Sequence, residues 1–383
     1  MHNKLFIAFI AAACLLCSCA TVKNFEKSDV TSISHLRFLG EHVIPYNQSF
    51  SGTTIGGLSG IDYNAEKQEY YMICDDRSAI SPARFYTAKI FINDRGIDTV
   101  IFTTVTQLLQ PGGTTYPNTK QDPAKTPDPE ALRYNKKNGQ LVWSSEGERI
   151  VSSNKTVIAD PSIISMNMEG KFIDSFMLPE QLHITAAEKG PRQNGVLEGL
   201  TFANNYRSLY VSVEEPLYDD GPRAGLHDTT AWTRIIQYDM ATKKPTAQYA
   251  YKLDPVAYAP FPANAFKVNG IPDILSIGHN KFLVIERSFS TGRMACTIKV
   301  FLTDLAQAGD ISGIASLIMY PPLKPAQKQL LLNMDSLGIY IDNVEGVTFG
   351  PTLSNGHKTL IFVADNNFSA AEKNQFLLFE VVP

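Results

Sequence analysis

Basic residues, tryptophan and cysteine are all in short supply in this 383-residue sequence, and each shortage closes off a class of protein. Lys and Arg number 34 against 38 Asp and Glu, a formal net charge of -4. A protein that grips nucleic acid by its phosphates carries a basic excess, so that class is excluded. Five cysteines are too few for a disulfide scaffold of this length. Familiar hydrolase motifs are missing too: there is no His-Glu-x-x-His zinc sequence and no Arg-His-Gly core. Gly56-Gly57-Leu58-Ser59-Gly60 misses the Gly-x-Ser-x-Gly nucleophile spacing by one residue, so Ser59 reads as the tight start of a strand. Long stretches of helical period are absent, and no apolar run reaches bilayer-spanning length. What is plentiful is 21 Phe and 16 Tyr among 25 Gly and 22 Pro, which predicts short strands joined by tight turns. With 44% hydrophobic and 19% charged residues the chain is globular, long enough for one large all-β domain or two smaller ones.

The N-terminus reads as an address. Met1-His2-Asn3-Lys4 precedes the uncharged run Leu5 to Leu16, the pattern of a secretory signal. Leu16-Cys17-Ser18-Cys19 resembles a bacterial lipobox with Cys19 as the lipidated first residue; the other reading is ordinary cleavage, with Cys19 incidental. The expected division is a signal over 1–18, a lipidated tether over 19–34 and one domain over 35–383. It implies an exported lipoprotein of the cell envelope, periplasmic or outer-membrane-anchored, touching the membrane through its lipid alone. Cys14 and Cys17 leave with the signal. Cys74 and Cys296 then remain, in apolar strand-like segments and with no Cys-x-x-Cys pairing, and are expected to be buried free thiols.

Five segments repeat one pattern, a small or acidic opening, an alternating strand, a turn, and a second strand closing on an acid. The hairpins are Leu58–Tyr63 with Tyr71–Asp75, Pro129–Tyr134 with Val142–Glu146, and Leu197–Phe202 with Tyr210–Glu214. The last two are Pro272–Ile277 with Phe282–Glu286 and Val344–Phe349 with Ile361–Asp365. Their openings fall at 59, 130, 198, 273 and 345, roughly 70 residues apart, and further alternating stretches follow each hairpin. Four strands per unit, repeated, predict an all-β fold: a β-propeller of five four-stranded blades, or six if an insertion hides another. The last unit lacks a strand, and Leu36–Ile44 is a strand without a partner. Placing the second into the first closes the ring and removes an exposed edge.

In an antiparallel hairpin the start of one strand lies beside the end of the next, so acids at both positions share one end of the blade. Around a ring they converge on one mouth: Glu130, Glu198, Asp273 and Glu345 at the openings, and Asp75, Glu146, Glu214, Glu286 and Asp365 at the closings, with Ser59 in the first unit's opening. Carboxylates held together take up protons, pair with Arg or bind cations, and an all-oxygen set suits Ca²⁺. Arg77, Arg149 and Arg287 follow the closings, and are placed either to pair with these acids or to hold an anionic substrate. The insertions Gln107–Pro127, His183–Asn194 and Pro216–Trp232 are candidate rim loops; the last two bring Arg192 and His227 toward the mouth. His183, His227 and His279 are expected mainly as surface histidines.

Asn194-Gly195-Val196-Leu197-Glu198-Gly199-Leu200, Val213-Glu214-Glu215-Pro216-Leu217 with Asp219-Asp220-Gly221, Asp342-Asn343-Val344-Glu345-Gly346 and Ala364-Asp365-Asn366-Asn367 carry a family resemblance. Together they resemble the bacterial phytase-like domain family, from about Leu36 to the C-terminus. The resemblance implies hydrolysis of phosphate esters or related esters, with an anionic small-molecule ester as substrate. On that reading Glu214, Glu215 and Glu198 are the catalytic or water-activating carboxylates. Asp75, Glu130, Glu146, Glu198, Glu214, Asp273, Glu286, Glu345 and Asp365 are candidate Ca²⁺ ligands, and Arg77, Arg149, Arg192, Arg287 and His227 are candidate substrate contacts. A monomer is expected. The alternative is a non-catalytic propeller lipoprotein that binds a ligand or partner and carries structural ions only.

Overall fold

The structure, a computed structural model, describes residues 32–227 and 230–383. The signal segment and Cys19 lie outside the described residues. Five sheets of antiparallel strands follow one another along the chain. The first blade is Leu58–Asn64, Glu69–Cys74, Arg84–Asn93 and Gly96–Gln107; the second is Pro129–Asn135, Gln140–Ser145, Ser162–Met166 and Phe172–Ser175. A two-stranded hairpin, Glu148–Val151 with Thr156–Ala159, is inserted into the second. The third is Leu197–Ala203, Ser208–Val213, Trp232–Asp239 and Lys244–Lys252. In the fourth the innermost strand is split into Lys267–Gly270 and Ile274–Gly278, both paired with Lys281–Ser290, and Thr297–Asp304 and Gln327–Asn333 complete it. The fifth, Asn343–Phe349, Thr359–Asp365 and Asn374–Val382, is finished by the N-terminal strand His35–Ile44, with His35 opposite Val382 and Ile44 opposite Asn374. The ring therefore has five blades and closes as expected.

Each blade is buried on both faces, which is why its middle strands are apolar at successive positions rather than at alternate ones. In the second strand of blade one, Tyr70, Met72 and Cys74 pack toward blade five, while Tyr71 and Ile73 pack toward blade two. The gaps between blades two and three, three and four, and four and five are filled likewise, around Leu200 and Val211, around Tyr251 and Phe282, and around Leu283 and Phe362. Cys74 and Cys296 sit in this packing as free buried thiols.

The inner strands come closest at the small residue after each opening. A Cβ on Gly199 would stand 2.7 Å from the backbone nitrogen of Ile274, and one on Gly60 would stand 2.9 Å from the Glu130 carbonyl. Just below this waist a single ion pair crosses the channel. Arg133 of blade two donates to both oxygens of Asp273 in blade four, at 2.9 and 2.7 Å. Its other N–H groups go to the carbonyls of Ile61 in blade one and Leu200 in blade three. Asp273 also accepts from the backbone N–H of Val347 in blade five, at 2.9 Å. One buried pair thus ties together all five inner strands and closes the channel where they meet.

Candidate functional site

Strand register decides which side chains reach the mouth. The pairs Ile61 with Met72, Leu132 with Trp143, Leu200 with Val211, Ile274 with Val284, and Val347 with Phe362 occupy the same place in the five blades. Two residues before the first member stand Ser59, Glu130, Glu198, Pro272 and Glu345; three after the second stand Asp75, Glu146, Glu214, Arg287 and Asp365. Four blades match the alignment read from sequence. The fourth is offset by one residue, and a one-residue slip turns every side chain of a strand to its other face.

Two expected ring members therefore stand elsewhere. Asp273 occupies the position of Gly60, Gly199 and Gly346 and points at Arg133. Glu286 lies outward, accepting from the Tyr251 hydroxyl at 2.8 Å, the Asn269 amide at 2.7 Å, the Asp254 N–H at 2.9 Å and the Lys328 ammonium. In its place a cation, Arg287, enters the ring. It pairs with Glu214 at 2.6 Å and with Glu345, and so binds blade three to blade five. Gly270 makes room, because a Cβ there would stand 2.6 Å from Glu214 Cγ.

Of the remaining acids, Asp365 stays with blade five, and the others gather on the side of blades one to three. Asp75, Asp128 and Glu130 form one group whose oxygens lie within 4.8 Å of one another, and Glu130, Glu146 and Glu198 form a second. Asp128 was not anticipated from the sequence; its signal was the Asp-Pro-Glu spacing that sets it two residues before Glu130. Burial raises the carboxyls of Asp75, Glu130 and Glu198 well above their ordinary range, and their acidic neighbours push the same way. Burial, with Asp128 and Glu214 nearby, lifts Glu146 to about 8. Asp128 is lifted by burial to about 6 against the pull of Arg77. Asp365 is raised by burial and by Glu345, while Glu345 is raised by burial and held back by Arg287. Asp128 Oδ2 and Glu345 Oε2 are buried without a hydrogen-bond partner.

The expected substrate contacts divide. Arg77 reaches the acids, pairing with Glu148 and setting its Nε 3.5 Å from Asp128 Oδ1, an ion pair too long for a hydrogen bond, and Arg287 Nε is buried without a hydrogen-bond partner. Arg149 is spent on the carbonyls of Thr185, Ala186 and Ala187, and Arg192 on those of Pro216 and Gly221. Both guanidiniums lie over the Tyr218 ring, at 5.1 and 4.2 Å, so they brace the rim loops rather than face the pocket. Glu215 is paired with Arg223, yet burial and Glu214 raise it to about 7. His227 is exposed on the rim loop, and His183 bonds Asp160 at 2.7 Å. Ser59 donates to the Glu130 carbonyl at 2.6 Å, which makes its hydroxyl a strand fastener.

These donors fit a hard divalent cation. They are oxygens only, with no imidazole or thiolate in either group, and Asp128 Oδ2 is a buried acceptor that the protein leaves unsatisfied.

The profile of a family described as phytase-like, with the esterase-like activity of phytase, matches residues 53–368. The chain belongs to that family. No curated protein matches its sequence. Solved structures with a similar backbone include an exo-β-1,3-galactanase from Phanerochaete chrysosporium, 14% identical with a TM-score of 0.47 over 90% of this chain and 65% of that one. An α-L-arabinofuranosidase from Lactobacillus brevis is 10% identical, with a TM-score of 0.44 over 85% of this chain and 91% of that one. A mannose phosphorylase from Leishmania mexicana is 10% identical, with a TM-score of 0.43 over 89% and 88%. This chain spans 65% of the galactanase's length.

Proposed function

We propose that this phytase-like propeller is a cell-envelope hydrolase of phosphate esters or related esters, working at the acidic mouth with Ca²⁺ held by its carboxylates. The observation that carries the reading is the crowding of Asp75, Asp128, Glu130, Glu146 and Glu198, carboxylates whose one basic neighbour in an ion pair, among the described residues, is Arg77 at Asp128. Bound Ca²⁺ would neutralise and polarise an ester anion. The chain's own residues set the rest. The Nε of Arg287, which has no hydrogen-bond partner within the protein, offers a donor to an anionic substrate. Of the three carboxylates assigned to water activation, Glu214 and Glu215 are tied to Arg287 and Arg223, which leaves Glu198, once a bound cation has displaced its proton, as the candidate base. Phosphate release and aryl-ester hydrolysis, assayed over a panel of esters with added Ca²⁺ and with chelator, test the reading. Inactivity across the panel in the presence of Ca²⁺ overturns it.

The second reading, a non-catalytic binder with structural ions, draws on one observation: Arg287 and Arg77 already occupy part of the mouth in pairs with acids. It predicts Ca²⁺-dependent stability with no turnover.

The envelope location is part of the proposal, with Cys19 as the lipidated residue. His35 pairs with Val382, at the end of blade five away from Asp365. A tether leaving there would turn the mouth away from the membrane. Loss of lipid labelling in Cys19→Ser would support the anchor, and unchanged labelling would exclude it.

A further inference from the structure

The two carboxylate groups at the mouth share a member, Glu130. We propose that the mouth is a two-cation centre in which Glu130 bridges one divalent cation bound by Asp75 and Asp128 to a second bound by Glu146 and Glu198. The proposal rests on the cation-dependent reading above and deepens it, since a single ion would not satisfy both groups.

Four observations carry it. First, the groups are built from different blades: Asp75 closes blade one, Glu146 closes blade two and Glu198 opens blade three, so neither group is a local run of acids. Second, each group crowds its own pair of carboxyls from separate segments: Asp75 with Asp128, and Glu146 with Glu198, each offering an oxygen within 4.8 Å of the other's. Two carboxylates so close need a proton or a cation between them, and here the need arises twice, on either side of Glu130. Third, Asp128 is 3% exposed and its Oδ2 has no partner within the protein, so the first group holds a buried acceptor that only a ligand would satisfy. Fourth, the charges balance unevenly around the ring. Glu214 and Glu345 have Arg287 between them, whereas Arg77, the cation on the other side, meets only Asp128 of the five acids in the two groups. Two divalent ions bring those five negative charges close to neutrality, and one ion does not.

The arrangement also explains why Glu130 follows so closely on Asp128. The Asp-Pro-Glu segment places one carboxylate in the first group and one common to both, and Pro129 fixes the backbone between them.

Equilibrium dialysis of the chelator-stripped chain with Ca²⁺ tests the proposal directly, whatever the catalytic outcome. The wild type is expected to bind two ions at the mouth. Asp128→Asn and Glu198→Gln are each expected to bind one ion fewer, and Glu130→Gln to weaken both by at least tenfold. Replacing an acid in an acidic cluster relieves repulsion, so these variants should fold; circular dichroism and gel filtration confirm that each has. One ion in the wild type, or an undiminished ion in Glu130→Gln, overturns the bridge. If two ions bind while no ester in the panel is hydrolysed, the two-cation centre stands and the hydrolase reading fails. If hydrolysis proceeds with one ion, the reverse holds.

Discussion

Two clusters of buried charge lie one above the other along the axis of this propeller, and they are built on opposite principles. The lower, Arg133 with Asp273, is closed. The Arg133 guanidinium and the Asp273 carboxylate meet one another and backbone groups from the three other inner strands. Burial lifts Asp273 to about 6 against the pull of Arg133, so the acid is ionised at neutral pH and the pair carries no net charge. The upper cluster is open. It concentrates acids that burial and mutual repulsion keep partly protonated, with buried oxygens left unpaired. A satisfied polar network specifies structure, whereas an unsatisfied one is costly unless something else completes it. The lower cluster holds the ring together, and the upper one leaves buried acceptors unpaired.

The largest effect should come from breaking the closed cluster. Arg133→Met leaves Asp273 buried and unpaired beneath five inner strands, and is expected to cost about 3–5 kcal/mol in urea unfolding. Cation binding in the folded fraction should change little, because the mouth acids sit above the pair. A loss under 1 kcal/mol would show that the pair is not what ties the strands together.

Next in size is Arg287, the cation that stands where the other blades close on an acid. Arg287→Gln strands Glu214 and Glu345, and should cost about 2–3 kcal/mol without Ca²⁺. Removing a positive charge from an anionic pocket should also tighten Ca²⁺ binding about tenfold. A variant that loses stability and binds Ca²⁺ less well would mean that Arg287 shapes the site rather than balancing its charge.

That residue also shows how far the sequence was legible. Openings of Glu or Ser followed by Gly or Ala and an aliphatic residue, with acidic closings, exposed the register of four blades, because a small residue is needed where inner strands nearly touch. In blade four Asp273 and Glu286 imitate the opening and closing acids while standing one residue out of place. Alternation of period two is equally regular in either frame, so local sequence did not separate them. The contact that did is between residues 140 positions apart, Arg133 and Asp273. Arg149 and Arg192 misled for a related reason: charge placed them beside the mouth, but their carbonyl partners lie on loops whose path local pattern does not reveal.

A smaller effect distinguishes the clusters by pH. A carboxyl whose folded value is raised contributes stability that is present below its unfolded value and lost as pH rises through the folded one. For Asp273 and Asp128, each lifted from 3.8 to about 6, the loss is complete near pH 6. For Glu146, lifted from 4.5 to about 8, it continues to about pH 8. Between pH 6.5 and 8 the metal-free chain should therefore lose roughly 1–2 kcal/mol through the mouth alone. Glu146→Gln should make that interval shallower, and saturating Ca²⁺, which displaces the protons from the folded chain, should flatten it. A flat profile in the metal-free wild type would show that these acids are ionised without help.

Ser59 gives the smallest and most discriminating test, because it lies at the seam between the two clusters. It holds the opening position that carries an acid in three other blades, yet its hydroxyl is spent on the Glu130 carbonyl at 2.6 Å. As a fastener, Ser59→Ala should lose about 1 kcal/mol of stability, the worth of one buried hydrogen bond, and leave any ester hydrolysis within about twofold. As a nucleophile, the same change should abolish turnover with little effect on unfolding. The two outcomes separate stability from turnover in one variant. They also decide whether blade one lacks its acid because the position is catalytic, or because the neighbouring Glu130 backbone needs a short hydroxyl to carry its side chain up into the open cluster.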